Sequence, residues 1–287
     1  MYKITAAIIT YNEERKIERC LRSLSWADEI VVIDSFSTDR TLEICKRYTK
    51  NVYEHVWPND YSEQRTRAHW YASHDWVLFI DADEVVTKGL RDEILDLFNS
   101  EPGADAYGIP RKEYFGGKWI KAGGWYPQYK TILYRKSLGE WVNPIHEKFV
   151  SHGRMAYLKN PILHDGYGNF KTFMDKFNQY SSYEAIRTFR EGRRKRFSLF
   201  KALFKPIERF WGRFIRHRGY RDGMHGFYMA MVVALNYALQ EFKFYEHLYE
   251  QENKESWDRV FLKEAVGPDE KPMSDDKKPK NGSCNHR

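Results

Sequence analysis

The first hundred residues alternate short apolar runs with stretches whose apolar residues recur at helical spacing. No other feature narrows the fold as much. Ile4 to Thr10, Glu29 to Asp34, Val52 to Val56 and Trp76 to Ile80 read as strands. Between them, Ile17, Cys20, Leu21 and Leu24, then Leu42, Ile44 and Cys45, then Ser62 to Ser73 read as helices, with Asn12 as a cap for the first. A further helix is expected from Gly89 to Phe98. No Gly/Pro linker interrupts this order, so the expected fold is α/β: a Rossmann-like, mostly parallel sheet with helices on both faces. Ligands of such sheets bind beyond the carboxyl ends of the strands. Thr10-Tyr11, Asp34 and Asp81 all fall there.

The central strand carries the strongest chemical signal. Trp76-Val-Leu-Phe-Ile80 is wholly apolar, and Asp81-Ala-Asp83-Glu84 follows at once. If strand geometry continues past the end, Asp81 and Asp83 point the same way. Paired carboxylates repel unless a cation joins them. Hard oxygen ligands suit Mg²⁺ or Mn²⁺, which commonly bridge to substrate phosphates. The competing reading is that Asp81 and Glu84 merely cap the next helix. Neither Gly-x-Gly-x-x-Gly nor a Walker pattern occurs in this half, so a nucleotide must be held by strand-end side chains, a metal and Arg65.

After Pro102 the chain becomes rich in glycine and aromatics, as expected for an antiparallel addition with long functional loops. Trp125 and Tyr126 suit either an acceptor sugar or ordinary burial. Trp141-Val-Asn-Pro-Ile-His146-Glu147 supplies a candidate general base, Glu147, with His146 beside the acceptor. His164, after Pro161-Ile-Leu, either completes a metal shell, meets a diphosphate or is structural. The domain expectation is a catalytic unit over 1–170, with nucleotide-sugar and acceptor halves at 1–100 and 101–170. A helical region over 171–250 and a disordered tail over 265–287 follow.

The formal charge of +7 is unevenly placed: residues 187–221 hold thirteen Lys/Arg and two Asp/Glu, so the remainder is net acidic. Here Phe200, Leu203, Phe204, Ile207, Trp211, Phe214 and Ile215 form one stripe, with Lys201, Lys205, Arg209, Arg213 and Arg216 elsewhere. An aromatic stripe against a basic face is the pattern of a helix lying in an anionic membrane interface; a helical cap packed on the catalytic unit is the alternative. A break is expected from Gly219 to Gly226, followed by an apolar stretch too short to span. The three cysteines have no metal-ligand spacing and read as reduced thiols. Together with an N-terminus that lacks a signal-peptide pattern, this leads to the expectation of a cytoplasmic protein bound to the inner face of the membrane. Nucleic-acid binding through the basic segment would leave the strand-end acids without a role, so no nucleic-acid partner is expected.

Ile8-Ile-Thr-Tyr-Asn-Glu13, Val31-Val-Ile-Asp-Ser-Phe-Ser-Thr-Asp39 and Leu78-Phe-Ile-Asp-Ala-Asp-Glu84 resemble the first three motifs of family 2 glycosyltransferases, which have the GT-A fold. Gly123-Gly-Trp-Tyr-Pro127, Pro144-Ile-His-Glu147 and Leu163-His164 resemble a branch acting on bacterial lipopolysaccharide core and related cell-envelope sugars. The resemblance spans about residues 1 to 245. It implies inverting, metal-dependent transfer of a hexose from a nucleotide sugar, UDP foremost, to a lipid-linked saccharide acceptor. It also implies that Thr10, Tyr11 and Glu13 line the nucleotide, that Asp34 faces the base and that Arg65 helps bind nucleotide or diphosphate. Asp81 and Asp83 match the Asp-x-Asp pair, with Asp83 the direct metal ligand. Many relatives carry a Glu-Asp or similar acidic motif as base; this chain departs from it, and Glu147 takes the place. A polyprenyl-phosphate sugar synthase of the same fold and a non-catalytic sugar-nucleotide scaffold stand as rival readings.

Overall fold

A computed structural model describes residues 2–253 apart from 59, 144–146, 167, 169, 193 and 195. The expectations for His146 and for the tail at 265–287 therefore lie outside the described residues. Among the described residues the strands are β1 Ile4–Thr10, β2 Glu29–Asp34, β3 Val52–Glu54, β4 Trp76–Asp81, β5 Glu84–Val86, β6 Ala106–Phe115, β7 Lys118–Trp119, β8 Gln128–Arg135, β9 Gly139–Val142, β10 Lys148–Ser151, β11 Met155–Tyr157 and β12 Ile162–His164. The helices are α1 Ile17–Ser23, α2 Thr41–Lys46, α3 Tyr61–Tyr71, α4 Lys88–Asn99, α5 Phe170–Arg190, α6 Leu199–Trp211 and α7 Met224–Asn253.

The main sheet runs β3-β2-β1-β4-β8-β6-β12-β5, with β7 and β11 on β6. The first four strands are parallel, as the βα alternation requires. Beyond β4 the sheet is mixed: β8 is antiparallel to both β4 and β6, whereas β12 is parallel to β6. Trp76 through Ile80 are all buried, because the central strand is covered on both faces. Register aligns the strand ends. Ile9 lies opposite Asp81, Thr10 opposite Asp34, and Asp34 opposite Glu54. The polar strand termini therefore meet at one edge.

Three local expectations are corrected. Strand geometry stops at Asp81: Ala82 and Asp83 form a turn, and β5 then pairs antiparallel with β12. Period-2 alternation does not link the two acids, and each faces its own cations, as described below. Neither Asp81 nor Glu84 caps a helix. Glu84 Oε2 accepts the Asp81 N–H at 3.0 Å within the turn, while Thr87 Oγ1 caps α4 by accepting from Leu90 at 3.1 Å. Asn12 is no cap either, since α1 starts at Ile17. Asn12 instead adopts φ 51°, and its Oδ1 accepts the Thr38 N–H at 2.8 Å, lacing the loop after β1 to the loop after β2.

The last three helices form a bundle in which α5 and α6 both pack on α7. Phe115, Ile120, Phe173, Met229 and Val232 make a second core that joins the bundle to the loop after β7. The expected break falls at a 3-10 turn, Gly219–Asp222. There Gly226 meets the Gly219 carbonyl so closely that any β-carbon would collide with it. Within α6 only Ala202 is buried, and Phe200, Leu203, Phe204, Ile207 and Trp211 stay exposed. Phe214 turns inward against Phe210 and Phe227. Two of the expected basic-face residues are also drawn inward: Arg209 lies over Tyr237, and Arg213 Nη1 donates to the Gly123 carbonyl at 2.7 Å. Among the described residues no helix is long and apolar enough to cross a membrane.

Candidate active site at the carboxyl edge of the sheet

Asp81 ends β4 beside two cations. Its Oδ1 accepts from Arg65 Nη2 at 2.8 Å, and Lys130 Nζ stands 3.9 Å from its Oδ2. Burial opposes ionisation, but Arg65 and then Lys130 outweigh it and hold the carboxyl below its ordinary range. Asp83 sits in the turn, with Oδ1 3.4 Å from His164 Nε2 and Oδ2 3.7 Å from Lys176 Nζ. It too is buried, and His164, followed by Lys176 and Lys16, overrides the desolvation and keeps it ionised. The two acids still feel each other's charge.

His164 is placed by β12, opposite Glu84 on one neighbour and Glu113 on the other. Its Nδ1 is 2.5 Å from Glu113 Oε2. Burial disfavours the imidazolium, but Asp83, aided by Glu113, pushes the pKa up to about 9. Gly166 lies against this ring, and a β-carbon there would strike Cε1 and Nε2, so only glycine leaves room for the histidine. Glu84 is buried with Arg111 at 3.4 Å, and burial followed by Asp81 raises its pKa.

Arg65, on α3, is only 4% exposed. Its guanidinium lies 4.3 Å from the Phe79 ring centroid and 4.8 Å from that of Trp141. The same Nη2 that serves Asp81 also donates to Glu147 Oε1 at 2.8 Å. The sheet edge thus brings Asp81, Asp83, His164, Arg65 and Glu147 into one connected set of charges. Thr10 and Glu13 border it. The buried Thr10 Oγ1 has no hydrogen-bond partner among the described residues. Burial, then Asp83, raises the Glu13 pKa. Tyr11 is exposed at the rim. Asp34 is fully buried and is used by its own turn, accepting from the Ser37 amide at 2.7 Å and the Ser37 hydroxyl at 2.5 Å. Trp125 and Tyr126 lie on the loop that packs on the helical bundle, Trp125 against the second core and Tyr126 edge-on to Trp119 at 5.3 Å.

Sequence reasoning missed Lys130, Lys176 and Glu113. The lysines come from β8 and α5, remote in sequence from the acids they face. Glu113 stands two residues from Arg111 and pairs with it on one face of β6, but the charged run Arg111-Lys-Glu113 gave no sign of burial in the sequence.

Among the described residues no group of three or more His, Cys, Asp or Glu side chains forms a ready metal cage. A divalent ion riding on a diphosphate needs no such cage, because it takes one or two carboxylates and fills its shell with phosphate oxygens and water. Asp83 Oδ1 and His164 Nε2 are 3.4 Å apart. Neighbouring donors on an octahedral ion sit at about 3 Å. Glu113 behind Nδ1 is the carboxylate that orients a ligating histidine. These residues fit such an ion, whose binding would release the proton that His164 carries in its absence.

Residues 5–178 match the family model described as Glycosyl transferase family 2. An uncharacterized glycosyltransferase of Rickettsia typhi is 32% identical over 82% of this chain and 84% of its own. The lipopolysaccharide core biosynthesis glycosyltransferase LpsC of Rhizobium meliloti is 29% identical over 85% of this chain and 92% of its own. Among solved structures, S. aureus TarS in complex with UDP aligns over 89% of this chain and 93% of its own, with 17% identity and a TM-score of 0.43. With that match over most of its sheet and a relative at 32% identity across most of its length, this chain belongs to glycosyl transferase family 2: it is a glycosyltransferase with an α/β fold of the GT-A kind.

Proposed function

We propose that the enzyme transfers a hexose from a nucleotide sugar, with UDP as the nucleotide, to a hydroxyl of a lipid-linked saccharide such as lipopolysaccharide core, inverting the anomeric centre. The observation that carries this reading is the single charged set in which Arg65 joins Asp81 to Glu147 while Asp83 and His164 stand alongside. In it, Thr10, Tyr11, Glu13 and Asp34 border the nucleotide. Asp83, Asp81 and His164 would hold Mg²⁺ or Mn²⁺, which when bound offsets the charge that grows on the departing diphosphate. Lys130 and Lys176 add positive charge at the same place. Glu147, which accepts a hydrogen bond from Arg65, takes the proton of the attacking hydroxyl, which grows more acidic as its bond to carbon forms. Trp125 and Tyr126 offer ring faces to the acceptor sugar.

Two observations support a lipid-linked acceptor. One is the name of the Rhizobium relative. The other is α6, whose exposed Phe200, Phe204, Ile207 and Trp211 adjoin the exposed Lys201, Arg216 and Arg218. That combination suits the inner face of an anionic membrane, with the helix lying in the interface and its cations meeting lipid phosphates.

Glu147→Gln tests the transfer chemistry. Turnover is expected to fall by about 10²–10⁴-fold with UDP affinity retained. Near-normal turnover would remove Glu147 from the base role and favour attack by a phosphate acceptor, which needs no strong base.

A further inference from the structure

α7 is a helix of 30 residues, and α5 and α6 pack on two of its flanks. It turns Met229 and Lys243 towards α5, and Phe227 and Tyr237 towards α6. A third face, among the described residues, is exposed. It carries Met224, Tyr228, Met231, Leu235, Phe242, Tyr245 and Tyr249, each 36–60% exposed, with the smaller Ala238 between Leu235 and Phe242. Phe170 and Phe197 reach only its margins, at Tyr228 and Tyr245. From Met224 onward the steps along the chain are four, three, four, three, four, three and four. This is the heptad repeat of a coiled-coil seam.

The spacing is the same read from either end. In an antiparallel pair with its two-fold axis between Asn236 and Tyr237, Met224 meets Tyr249 of the second copy, Tyr228 meets Tyr245, Met231 meets Phe242 and Leu235 meets Ala238. The charges suit the same arrangement. Exposed Arg218 and Arg221 precede the helix, and exposed Glu246 and Glu250 flank the seam near its end. Antiparallel pairing brings each acidic end to the other copy's arginines and opposes the helix dipoles, whereas parallel pairing sets acid beside acid. These charges also disfavour lipid as the occupant. α7 holds one lysine and no arginine, and Lys243 is engaged inside the bundle, where its Nζ donates to Asn178 Oδ1, Ser181 and Ser182. An anionic membrane therefore attracts the face of α6 and not this one. Met, Tyr and Phe are side chains enriched at protein interfaces. Covering the seven removes up to about 1,300 Å² from water over two copies, above the roughly 1,000 Å² a specific interface needs.

We propose that α7 is a dimerisation helix, whose outer seam pairs antiparallel with the same seam of a second copy of this chain. The two-fold axis of such a pair runs perpendicular to the plane of the two helices. α6 flanks α7 about a quarter turn from the seam, so it lies on the same side in both copies, ready to meet one lipid surface.

Sedimentation equilibrium of the full chain without detergent tests the pairing, and mixed-cysteine crosslinking tests its direction. Wild type is expected at twice the chain mass. Leu235→Glu places a charge at the centre of the seam and should weaken self-association at least about tenfold, with the circular dichroism spectrum unchanged. In a Cys284→Ser background, Met231→Cys and Phe242→Cys proteins should form a disulfide-linked dimer when mixed, at least about fivefold more than either alone. Like positions are about 16 Å apart along the axis, too far for a disulfide, whereas the mixed pair faces across the seam. Wild type at the single-chain mass throughout, a dimer indifferent to Leu235→Glu, or cysteines that link as readily alone as mixed would overturn the proposal. A monomeric wild type that loses vesicle binding with Leu235→Glu would overturn it too, and would give the seam to lipid. Should Leu235→Glu misfold, the wild-type mass and the mixed cysteines still decide.

Discussion

A buried carboxylate persists as an anion only while positive charge or hydrogen-bond donors face it. Asp81 and Asp83 have such partners from distant stretches, Arg65 and Lys130 for Asp81 and His164 and Lys176 for Asp83, whereas Glu113 takes Arg111 from its own strand. The acids themselves were legible in the sequence because an apolar run ending in Asp-x-Asp is a local pattern. Arg65 and His164 were candidates as well, but Lys130 and Lys176 were not, since contact of these acids with β8 and α5 has no local signature. The same aromatic wall that supports Trp141 half-buries a histidine. His69 Nε2 is 2.7 Å from the Tyr134 hydroxyl, and burial, then Lys136, lowers its pKa to about 4. A histidine ordinarily titrates near 6.5, so between those values the unfolded chain binds more protons than the folded one. This contribution is whole above about pH 6.5 and is lost as pH falls towards 4, amounting to at most about 3 kcal/mol. Denaturant midpoints measured at pH 7 and pH 4.5 should therefore converge in His69→Gln relative to wild type. An identical pH dependence in the two proteins would contradict the assignment.

At the scale of elements, the strands and helices of the first half follow from apolar periodicity and local caps. Thus α3 begins where Asp60 accepts from the Glu63 amide at 3.0 Å, one turn ahead of Arg65. What periodicity could not supply was the turn at Asp83 and the short β5 after it, because a three-residue strand is defined by its partner β12 rather than by its own pattern. The apolar stripe of α6 was legible, and its exposure required the structure: the same spacing would have described a buried face. From that exposure a second expectation follows. Replacing Phe200, Phe204 and Trp211 together by serine should release the protein from vesicles containing anionic lipid, with the melting temperature held within a few degrees. Weaker binding of the wild type to purely zwitterionic vesicles should accompany it. Unchanged sedimentation on anionic vesicles, or a collapse in melting temperature, would show that the stripe serves packing instead.

For the molecule as a whole, the sheet divides the work. Its parallel half aligns Thr10, Asp34 and Asp81 at one edge, and its mixed half swings His164 and Lys130 round to the same place. Neither half contains the site alone, and α5 closes it by carrying Lys176 to Asp83. The proposed transfer depends on that edge gripping a cation, and through it the leaving group of a sugar donor. Calorimetric titration of UDP, with and without Mn²⁺, into the wild type and into Asp83→Asn tests this most directly. The predicted result is tighter UDP binding with Mn²⁺ in the wild type, by tenfold or more (about 1.4 kcal/mol), and no such gain in the folded variant. Equal affinity with and without the metal in the wild type, or a gain that survives Asp83→Asn, would contradict the central claim.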